Sequence, residues 1–396
     1  MIVLAILFWV SAAALVYAQL GYGLLLAGLV RLTRRARGDG HAQTLDPQRE
    51  GPGSSTGAPL PVSVIVAAYR EEAVIAARVA NLRALVPPAA EVIVAVDGGA
   101  DPNADATARR AREAGADRVL ELPRGGKVAT QNAAARVASQ PFLAFSDANA
   151  LWEPEALARL IAVFTDPRVG YVCGSVSFLR AAGGTNQEGL YWRYEMWIRA
   201  HESSLASITA GNGAIYMTRR ESYIELGPQM GHDISFPFSM VKRGWRALYA
   251  PEARAIEKMA PSIEGEFSRK RRMAYTETWP TVLRGGLLSP AGYGPLYALM
   301  IFSHRILRYV SPGLHLITLL SALILWLYSP GDPLWAVLLG GQLALLGLAL
   351  AAGRLPGRLT LVARYYVWTT ASLAAGLWDW LVDPRRVGWE SAEGTR

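Results

Sequence analysis

Short apolar runs alternate with helical patterns in the part of the chain that follows residue 60. Residues 62–67, 91–96 and 142–145 are continuous apolar runs, a pattern that predicts strands buried on both faces. A shorter strand is predicted at 118–122, and the helical patterns between the strands cover residues 71–85, 104–114 and 127–138. Because strand and helix alternate, we expect an α/β fold with a mostly parallel sheet flanked by helices.

A long uncharged run opens the chain. Residues 2–30 exceed the roughly 20 residues that cross a bilayer, so they predict a transmembrane helix over 1–30. A signal peptide fits less well, because no basic residue precedes the run and the run is too long for an h-region. Arg31, Arg34 and Arg35 follow at once, and the positive-inside rule then places the next domain in the cytoplasm, at an inner or plasma membrane.

The C-terminal region 309–382 predicts further transmembrane helices. Residues 309–328 and 334–353 each have the length and composition of a span. Residues 365–378 are uncharged but shorter, and they span only if flanking residues such as Arg364 reach the membrane interface.

Three other segments separate or end these regions. Residues 31–60 join a basic flank to a stretch rich in Gly, Pro, Ser and Thr, which indicates a flexible linker. Residues 281–308 are broken by prolines and glycines and predict an interfacial segment. Its basic side chains are expected to face cytoplasmic headgroups; they are His304, Arg305 and Arg308. The side of the tail 383–396 stays open, because its arginines favour the inside whereas three C-terminal spans favour the outside.

Composition narrows the classes of function. A single cysteine excludes an intramolecular disulfide, and the lack of a Cys or His cluster argues against structural zinc. The net charge of +8 suits nucleic acid, anionic lipid or an anionic substrate such as a nucleotide sugar. Membrane-flanking arginines supply much of it and no nucleic-acid-binding motif is found, so we expect no nucleic acid partner. A dinucleotide fingerprint is missing after the first strand.

Acidic residues follow apolar runs near one predicted sheet edge. Asp97 and Asp147 end two of the strands, and Asp233 lies further on in GHDISFP. Each alone is more often a cap or turn residue, but ligands of open α/β sheets bind at the carboxyl ends of strands. Asp147 and Asn149 offer oxygen ligands that suit Mg²⁺ or Mn²⁺. Helix capping is the alternative for Asp147, and it fits poorly because the next helix starts several residues later.

A glycine pair precedes one predicted helix. Gly125, Gly126 and Lys127 would offer backbone N–H groups and a positive charge, which suits a phosphate. The segment is not a Walker A loop, because the spacing and the Ser or Thr after the lysine are missing. A plain turn followed by a solvated lysine explains it equally well.

Taken in order, these segments resemble glycosyltransferase family 2, the inverting nucleotide-sugar enzymes with a GT-A fold, and its membrane-bound polysaccharide synthases in particular. The resemblance implies an α/β GT-A-like cytoplasmic domain over 61–280 with transmembrane helices at both ends. PVSVIVAAYREE matches the family's opening strand and nucleotide-binding turn, which implies that Glu71 contacts the nucleotide. Asp97 in VDGGADPNADAT matches the acid that contacts the nucleotide base, and Lys127 in RGGKVATQNAA matches a segment near the nucleotide.

The resemblance also implies the reacting residues. Asp147-Ala148-Asn149 matches the metal-binding DxD motif, which implies a divalent cation held by Asp147 and Asn149. Asp233 matches the catalytic base of the family's "ED" pair. RKRRM falls where processive members have QxxRW, and Arg269 and Arg272 would share one helix face and grip the diphosphate. The alternative is a basic cluster on anionic headgroups, chiefly for the two residues between them, Lys270 and Arg271.

Departures from the family pattern leave alternatives open. Asn149 brings an amide instead of a carboxylate, and the missing tryptophan of RxxRM weakens any claim of processivity. His232 replaces an acid; it either orients an acceptor or is neutral and structural. Four aromatic residues of the segment before the base either stack on sugar rings or pack between helices, with packing favoured; they are Tyr191, Trp192, Tyr194 and Trp197.

The sequence therefore predicts a membrane-anchored inverting glycosyltransferase that moves a sugar from a nucleotide sugar to a glycan acceptor in polysaccharide synthesis. The expected donor is a UDP-sugar. One alternative is single addition to a lipid-linked acceptor. Another is a non-catalytic nucleotide-sugar-binding assembly subunit, which Asn149 and His232 would support. The expected partners are the nucleotide sugar, the acceptor, membrane lipid and a partner subunit for export.

Overall fold

An eight-stranded sheet organises the chain in the computed structural model, which describes residues 1–36, 59–101, 105–179, 187–258, 263–352 and 357–384. The strand order is β3-β2-β1-β4-β7-β6-β8-β5. The strands are β1 Leu60–Ala68, β2 Ala89–Asp97, β3 Arg118–Leu122, β4 Phe142–Asp147, β5 Leu151–Trp152, β6 Val169–Leu179, β7 Tyr216–Arg219 and β8 Arg246–Lys258.

Helices cover both faces of the sheet and extend beyond it. They are α1 Ile2–Ala36, α2 Ile75–Arg83, α3 Thr107–Glu113, α4 Lys127–Val137, α5 Ala156–Ala162, α6 Gln187–Leu205, α7 His232–Lys242, α8 Ile263–Met273, α9 Trp279–Leu283, α10 Pro295–Met300, α11 Leu307–Tyr309, α12 Ser311–Tyr328, α13 Pro333–Ala351 and α14 Arg358–Val382. A π-helical turn, Ala274–Thr278, joins α8 to α9, and another at Ile301–Ile306 joins α10 to α11.

The first half of the sheet is parallel, as the alternating pattern predicts. Strand β1 lies between β2 and β4, with Ala68 opposite Val96 and Ala67 opposite Asp147. The carboxyl ends of these strands therefore share one edge, which carries Asp97 and Asp147. Strand β7 runs antiparallel to both of its neighbours, so the second half of the sheet is mixed.

The apolar strands are buried on both faces. Val62, Val64 and Val66 of β1 pack with α2, α3 and α5 on one side. Ile65 of the same strand packs with α4 and α7 on the other side. This two-sided burial explains why the strands read as continuous apolar runs.

Three described helices, α1, α12 and α13, are long and apolar enough to cross a membrane. Helix α1 runs over 35 residues and contains the first basic residues of the predicted flank. The remainder of the predicted linker, from residue 37 to 58, and the tail from 385 onward lie outside the described residues.

Residues 365–378, which we expected to span only if flanking residues reach the interface, lie within helix α14. It is not among the three apolar candidates of the described chain, and it packs along α8 and the π-helical turn after it. Arg271 forms an ion pair with Asp379 of α14, at 2.6 Å between Nε and Oδ2. Lys270 donates to the hydroxyls of Tyr365 and Thr369 at 2.6 and 3.0 Å. Both basic residues therefore have partners on α14.

The basic residues of 281–308 also contradict their predicted exposure to headgroups. His304 is only 1% exposed and Arg308 is 8% exposed. They lie between α1 and α6, together with Arg305, Glu195 and Glu202; these five residues form what we call the helix-junction cluster. Carboxylates on α6 pair with the basic groups, and this pairing offsets the desolvation free energy of burying the charges.

Every carboxylate oxygen of the helix-junction cluster lies within hydrogen-bonding distance of a protein partner. The Glu202 carboxylate accepts from the Tyr22 hydroxyl at 2.7 Å and from the Thr209 backbone N–H at 3.0 Å. The two ring nitrogens of His304 lie 2.7 Å from Glu202 Oε1 and 3.2 Å from Glu195 Oε2. Arg308 completes the set through an ion pair with Glu195 Oε1. The cluster thus ties α1, α6 and the segment after α10 together.

Candidate active site

A buried arginine fixes the end of strand β4. Arg78 of α2 is fully buried, donates to the Ser146 hydroxyl at 2.8 Å and stacks over the Trp152 ring. Burial lowers the pKa of Arg78 to about 9, and the nearby Asp147 opposes this effect. Asp147 itself is the last residue of the strand, and its side chain is 29% exposed at the sheet edge.

The loop between α6 and β7 is fixed against this strand end. Asn212 donates to the Gly174 carbonyl at 2.7 Å and accepts from the Ile215 N–H at 3.0 Å. The Gly211 N–H donates to the Asp233 backbone carbonyl at 2.7 Å, and buried Arg199 donates to the Gly211 carbonyl at 3.0 Å. These bonds leave Gly213 facing the carboxyl ends of the strands.

Three charged side chains converge on Gly213. A Cβ atom at this position would lie 2.8 Å from Lys127 Nζ, 3.1 Å from Asp233 Oδ1 and 3.4 Å from Asp147 Oδ2. Lys127 and Asp147 form an ion pair of 2.5 Å. Three residues predicted from separate segments are therefore brought into one cleft, and glycine leaves open the space between them.

The charges of the cleft shift one another's pKa values. Burial raises the pKa of Asp233, Asp147 raises it further, and Lys127 opposes both. Burial disfavours the charged form of Lys127, but Asp147 and Asp233 outweigh burial and raise its pKa. The Asp233 carboxylate accepts no hydrogen bond from the described residues. A carboxylate with a raised pKa and no protein donor is suited to accept a proton from a ligand.

Two further carboxylates of the cleft had no signal in the sequence. Glu257 lies near the end of β8, and Glu277 lies in the π-helical turn after α8. Burial raises the pKa of each to about 7, assisted by Asp147 for Glu257 and by Asp233 for Glu277. Neither follows an apolar strand into a recognisable motif, which is why sequence reasoning missed both.

Arg269 and Arg272 lie on the cleft side of α8. Arg269 donates twice to the Glu266 carboxylate, at 2.8 and 2.7 Å, and its charge lowers the pKa of Asp233 and Glu257. Arg272 acts in the same direction on Glu277. The two arginines lie three positions apart on α8, as predicted, and their charges act on the carboxylates of the cleft.

Asp97 is occupied by protein donors. Its carboxylate accepts from the Gly125 N–H at 2.6 Å and the Gly126 N–H at 3.1 Å, and it pairs with Arg124. The two amides that we expected to be available for a phosphate are therefore used within the protein. Lys127, the next residue, is not a solvated lysine either, because it pairs with Asp147. Asp97 thus fixes the turn that presents Lys127.

The other predicted donor-site residues lie at the same sheet edge. Glu71 is in the turn after β1, and its backbone N–H donates to the Thr107 hydroxyl at 2.9 Å. Asn149 is half-buried in the turn that follows β4, two residues beyond Asp147. Both residues follow the carboxyl ends of adjacent parallel strands, β1 and β4.

His232 turns away from the cleft. Its ring is 4% exposed and stacks on Phe236, with ring centroids 4.8 Å apart. Burial and the charge of Lys127 lower its pKa to about 3, so the imidazole is neutral. Its burial and stacking favour the structural interpretation of His232 over the acceptor-orienting one.

The aromatic residues of α6 pack between elements. Tyr194 donates to the Gln19 carbonyl of α1 at 2.8 Å and stacks on Trp197. Trp192 donates to the Val176 carbonyl at 2.7 Å, and Tyr191 contacts Tyr365 of α14. All four residues therefore make packing contacts within the protein, the interpretation that the sequence favoured.

The cleft fits a divalent cation only with help from a ligand. Among the described residues, no group of three or more His, Cys, Asp or Glu side chains is arranged to hold a metal alone. Asp147 supplies an oxygen atom beside the open space at Gly213, and Asn149 follows it by two residues in the same turn. Such a set suits Mg²⁺ or Mn²⁺ that is shared with substrate phosphates.

Comparison with protein families shows the family to which the chain belongs. The sequence profile of glycosyltransferase-like family 2 matches residues 59–276. The chain belongs to glycosyltransferase-like family 2. It is a glycosyltransferase with a GT-A-like α/β domain, which confirms the fold and the enzyme class implied by the sequence motifs. No curated protein matches the chain in sequence.

Solved structures share the glycosyltransferase fold. The mannosyltransferase PcManGT from Pyrobaculum calidifontis, in complex with GDP-Man and Mn²⁺, is similar with a TM-score of 0.66 at 20% identity, covering 96% of this chain and 100% of that one. Glucosyl-3-phosphoglycerate synthase from Mycobacterium tuberculosis, in complex with Mn²⁺ and UDP, has a TM-score of 0.39 at 21% identity, covering 54% and 76%. At this identity the first likeness shows the fold, and the second carries no argument.

Proposed function

We propose that this glycosyltransferase is membrane-anchored and inverting, and that it moves a sugar from a nucleoside diphosphate sugar to a hydroxyl of a glycan acceptor in polysaccharide synthesis. The observation that carries the proposal is the convergence of Lys127, Asp147 and Asp233 on Gly213. These residues supply a cation for the diphosphate, an oxygen ligand for a metal and a base for the acceptor.

The donor lies along the sheet edge in this proposal. Lys127 neutralises diphosphate charge, and Arg269 and Arg272 approach it from α8. Asp147 and Asn149 would hold the divalent cation, which when bound neutralises charge that develops on the leaving diphosphate. Glu71 and the turn fixed by Asp97 border the nucleoside.

Asp233 is the general base. Its carboxylate removes the proton from the acceptor hydroxyl, and the hydroxyl oxygen forms a bond to the anomeric carbon. The bond between that carbon and the diphosphate oxygen breaks on the opposite face, so the anomeric configuration inverts. Lys127 stabilises the charge of the departing diphosphate.

The three apolar helices support membrane anchoring. Helices α1, α12 and α13 have the length and composition of spans, and arginines follow the apolar part of α1. The positive-inside rule then favours a cytoplasmic cleft, where nucleotide sugars are available.

Product chain length on a sizing gel separates a polymer synthase from a single-addition enzyme.

A panel of donors tests the proposal. The purified protein is incubated with UDP- and GDP-sugars and Mn²⁺ or Mg²⁺, and release of nucleoside diphosphate is measured with and without glycoside acceptors. We expect release from one donor class, and its loss when the cation is chelated. Absence of release from every donor would leave the non-catalytic nucleotide-sugar-binding subunit as the better explanation.

A further inference from the structure

Glu277 approaches the base Asp233 from the π-helical turn after α8, a segment in which the sequence predicted no site residue. A Cβ atom at Gly231 would overlap the Glu277 carboxylate, so this carboxylate lies against the backbone two residues before Asp233. After burial, the charge that most affects Glu277 is that of Asp233, and Lys127 senses Glu277 as well. Glu277 therefore faces the same cleft as the base.

The turn that carries Glu277 is braced from outside. Trp279 donates to the Leu373 carbonyl of α14 at 3.0 Å. A Cβ atom at Gly376 would lie 2.5 Å from the Ala274 Cβ, so α14 and the π-helical turn are in close contact. Single π-helical turns inside helices frequently occur at functional sites. The bracing fixes a carboxylate that accepts no hydrogen bond from the described residues.

His232 makes this placement informative. The residue before the base has a neutral ring that stacks on Phe236 and is only 4% exposed, so little of it is accessible to an acceptor. Glu277, from a segment more than 40 positions further along the chain, supplies a carboxylate beside the same backbone turn.

We propose that Glu277 is an acceptor-positioning residue, whose carboxylate accepts a hydrogen bond from a second hydroxyl of a neutral sugar acceptor while Asp233 deprotonates the first. This inference rests on the proposed function and names its acceptor class: a glycoside with two neighbouring hydroxyl groups. A lipid phosphate acceptor is disfavoured, because it is already anionic, needs no base and would meet two carboxylates.

The test compares acceptors and variants. The acceptors are methyl glycosides, the same glycosides with single hydroxyl groups removed, and farnesyl phosphate. The proteins are wild type, Glu277→Ala, Glu277→Gln and the exposed control Glu113→Gln, each also measured for donor affinity by calorimetry.

We expect wild type to prefer a methyl glycoside over farnesyl phosphate. Loss of a hydrogen bond to a charged group should raise the acceptor KM of Glu277→Ala by about ten- to a hundredfold, with a smaller change in kcat. One deoxy glycoside should show the same loss in wild type and no additional loss in Glu277→Ala. Glu277→Gln should lose less than Glu277→Ala, and donor affinity should be kept in both.

Other results would overturn the inference. Faster transfer to farnesyl phosphate than to any glycoside would contradict the proposed acceptor class. If removal of each hydroxyl group from the acceptor lowered transfer as much in Glu277→Ala as in wild type, Glu277 would not contact any of these hydroxyl groups. If Glu277→Ala does not fold, the wild-type deoxy series and Glu277→Gln decide. Absence of nucleotide release by wild type with all donors contradicts the proposed function itself, a distinct failure.

Discussion

Two groups of buried charges lie in this protein, and they differ in how their carboxylates are satisfied. In the helix-junction cluster, every carboxylate oxygen of Glu195 and Glu202 lies within hydrogen-bonding distance of a protein partner. In the cleft, Asp147 pairs with Lys127, whereas the carboxylates of Asp233, Glu257 and Glu277 accept no hydrogen bond from the described residues. Both groups consist of mixed charges at element junctions, so charge alone does not separate them.

The difference shows that carboxylates without a protein donor distinguish the cleft from a structural cluster of buried charges. A buried ion pair with complete hydrogen bonding stabilises a junction, or at least does not weaken it. A carboxylate that is held beside other carboxylates without a donor lowers stability, and such groups are retained where a ligand uses them. Substitutions in the two clusters should therefore have opposite consequences.

The largest effect is expected for Asp233→Asn. Removal of the base should lower the rate of transfer by ~10²–10⁴-fold, because amide cannot accept the hydroxyl proton. Initial-rate assays under saturating donor, with Glu113→Gln as the matched surface control, measure this change. Near-full activity of Asp233→Asn would show that another group is the base.

In the helix-junction cluster, Glu195→Ala should affect stability instead. It leaves buried Arg308 without its ion-pair partner, a change that costs about 3–5 kcal/mol. Thermal unfolding in detergent, beside the exposed control Glu113→Ala, measures the loss. An unchanged melting temperature would mean that the cluster is not a structural tie.

Gly213→Ala tests how tightly the cleft charges are arranged. The added methyl would lie 2.8 Å from Lys127 Nζ and 3.1 Å from Asp233 Oδ1, so one of these groups must move. We expect transfer to fall about tenfold or more, because small displacements of reacting groups are costly. Gly227→Ala is the control, since no heavy atom lies within 4 Å of the added Cβ. Equal activity of both variants would argue against the tight arrangement.

A smaller, pH-dependent effect is expected for Glu277→Gln without ligands. The folded protein binds the Glu277 proton more tightly than the unfolded chain, because its pKa is raised from 4.5 to about 7. Ionisation of Glu277 therefore lowers the free energy of unfolding. This loss is absent below pH 4.5, where the group is protonated in both states, and it grows as the pH rises toward 7. Glu277→Gln should gain melting temperature over wild type at neutral pH and not in acid. A gain of equal size in acid would contradict this titration.

The sequence predicted the sheet because its strands are buried on both faces and therefore appear as unbroken apolar runs. Asp147 was predicted as a site residue from its strand end and motif, Asp233 from its motif, and Lys127 from the helix that it opens; Asp233 in fact lies in the first turn of α7. Their convergence at one point depends on Gly213, which no pattern indicated.

What the sequence missed depends on distant pairings. His304 was expected at headgroups, because its partner Glu202 lies 102 positions away and leaves no local trace. Arg271 and Asp379, which lie 108 positions apart, likewise bring α14 onto α8 instead of leaving it as an independent span. Glu277 reaches the cleft through that same docking of helices.

The most direct test of the contrast between the clusters is the melting temperature of Asp233→Asn beside that of Glu195→Ala, at neutral pH without donor. We predict that Asp233→Asn melts at or above wild type, because it removes a destabilising charge, whereas Glu195→Ala melts well below it. If Asp233→Asn lost as much stability as Glu195→Ala, the cleft carboxylate would be a structural residue, and its assignment as the base would lose its physical basis.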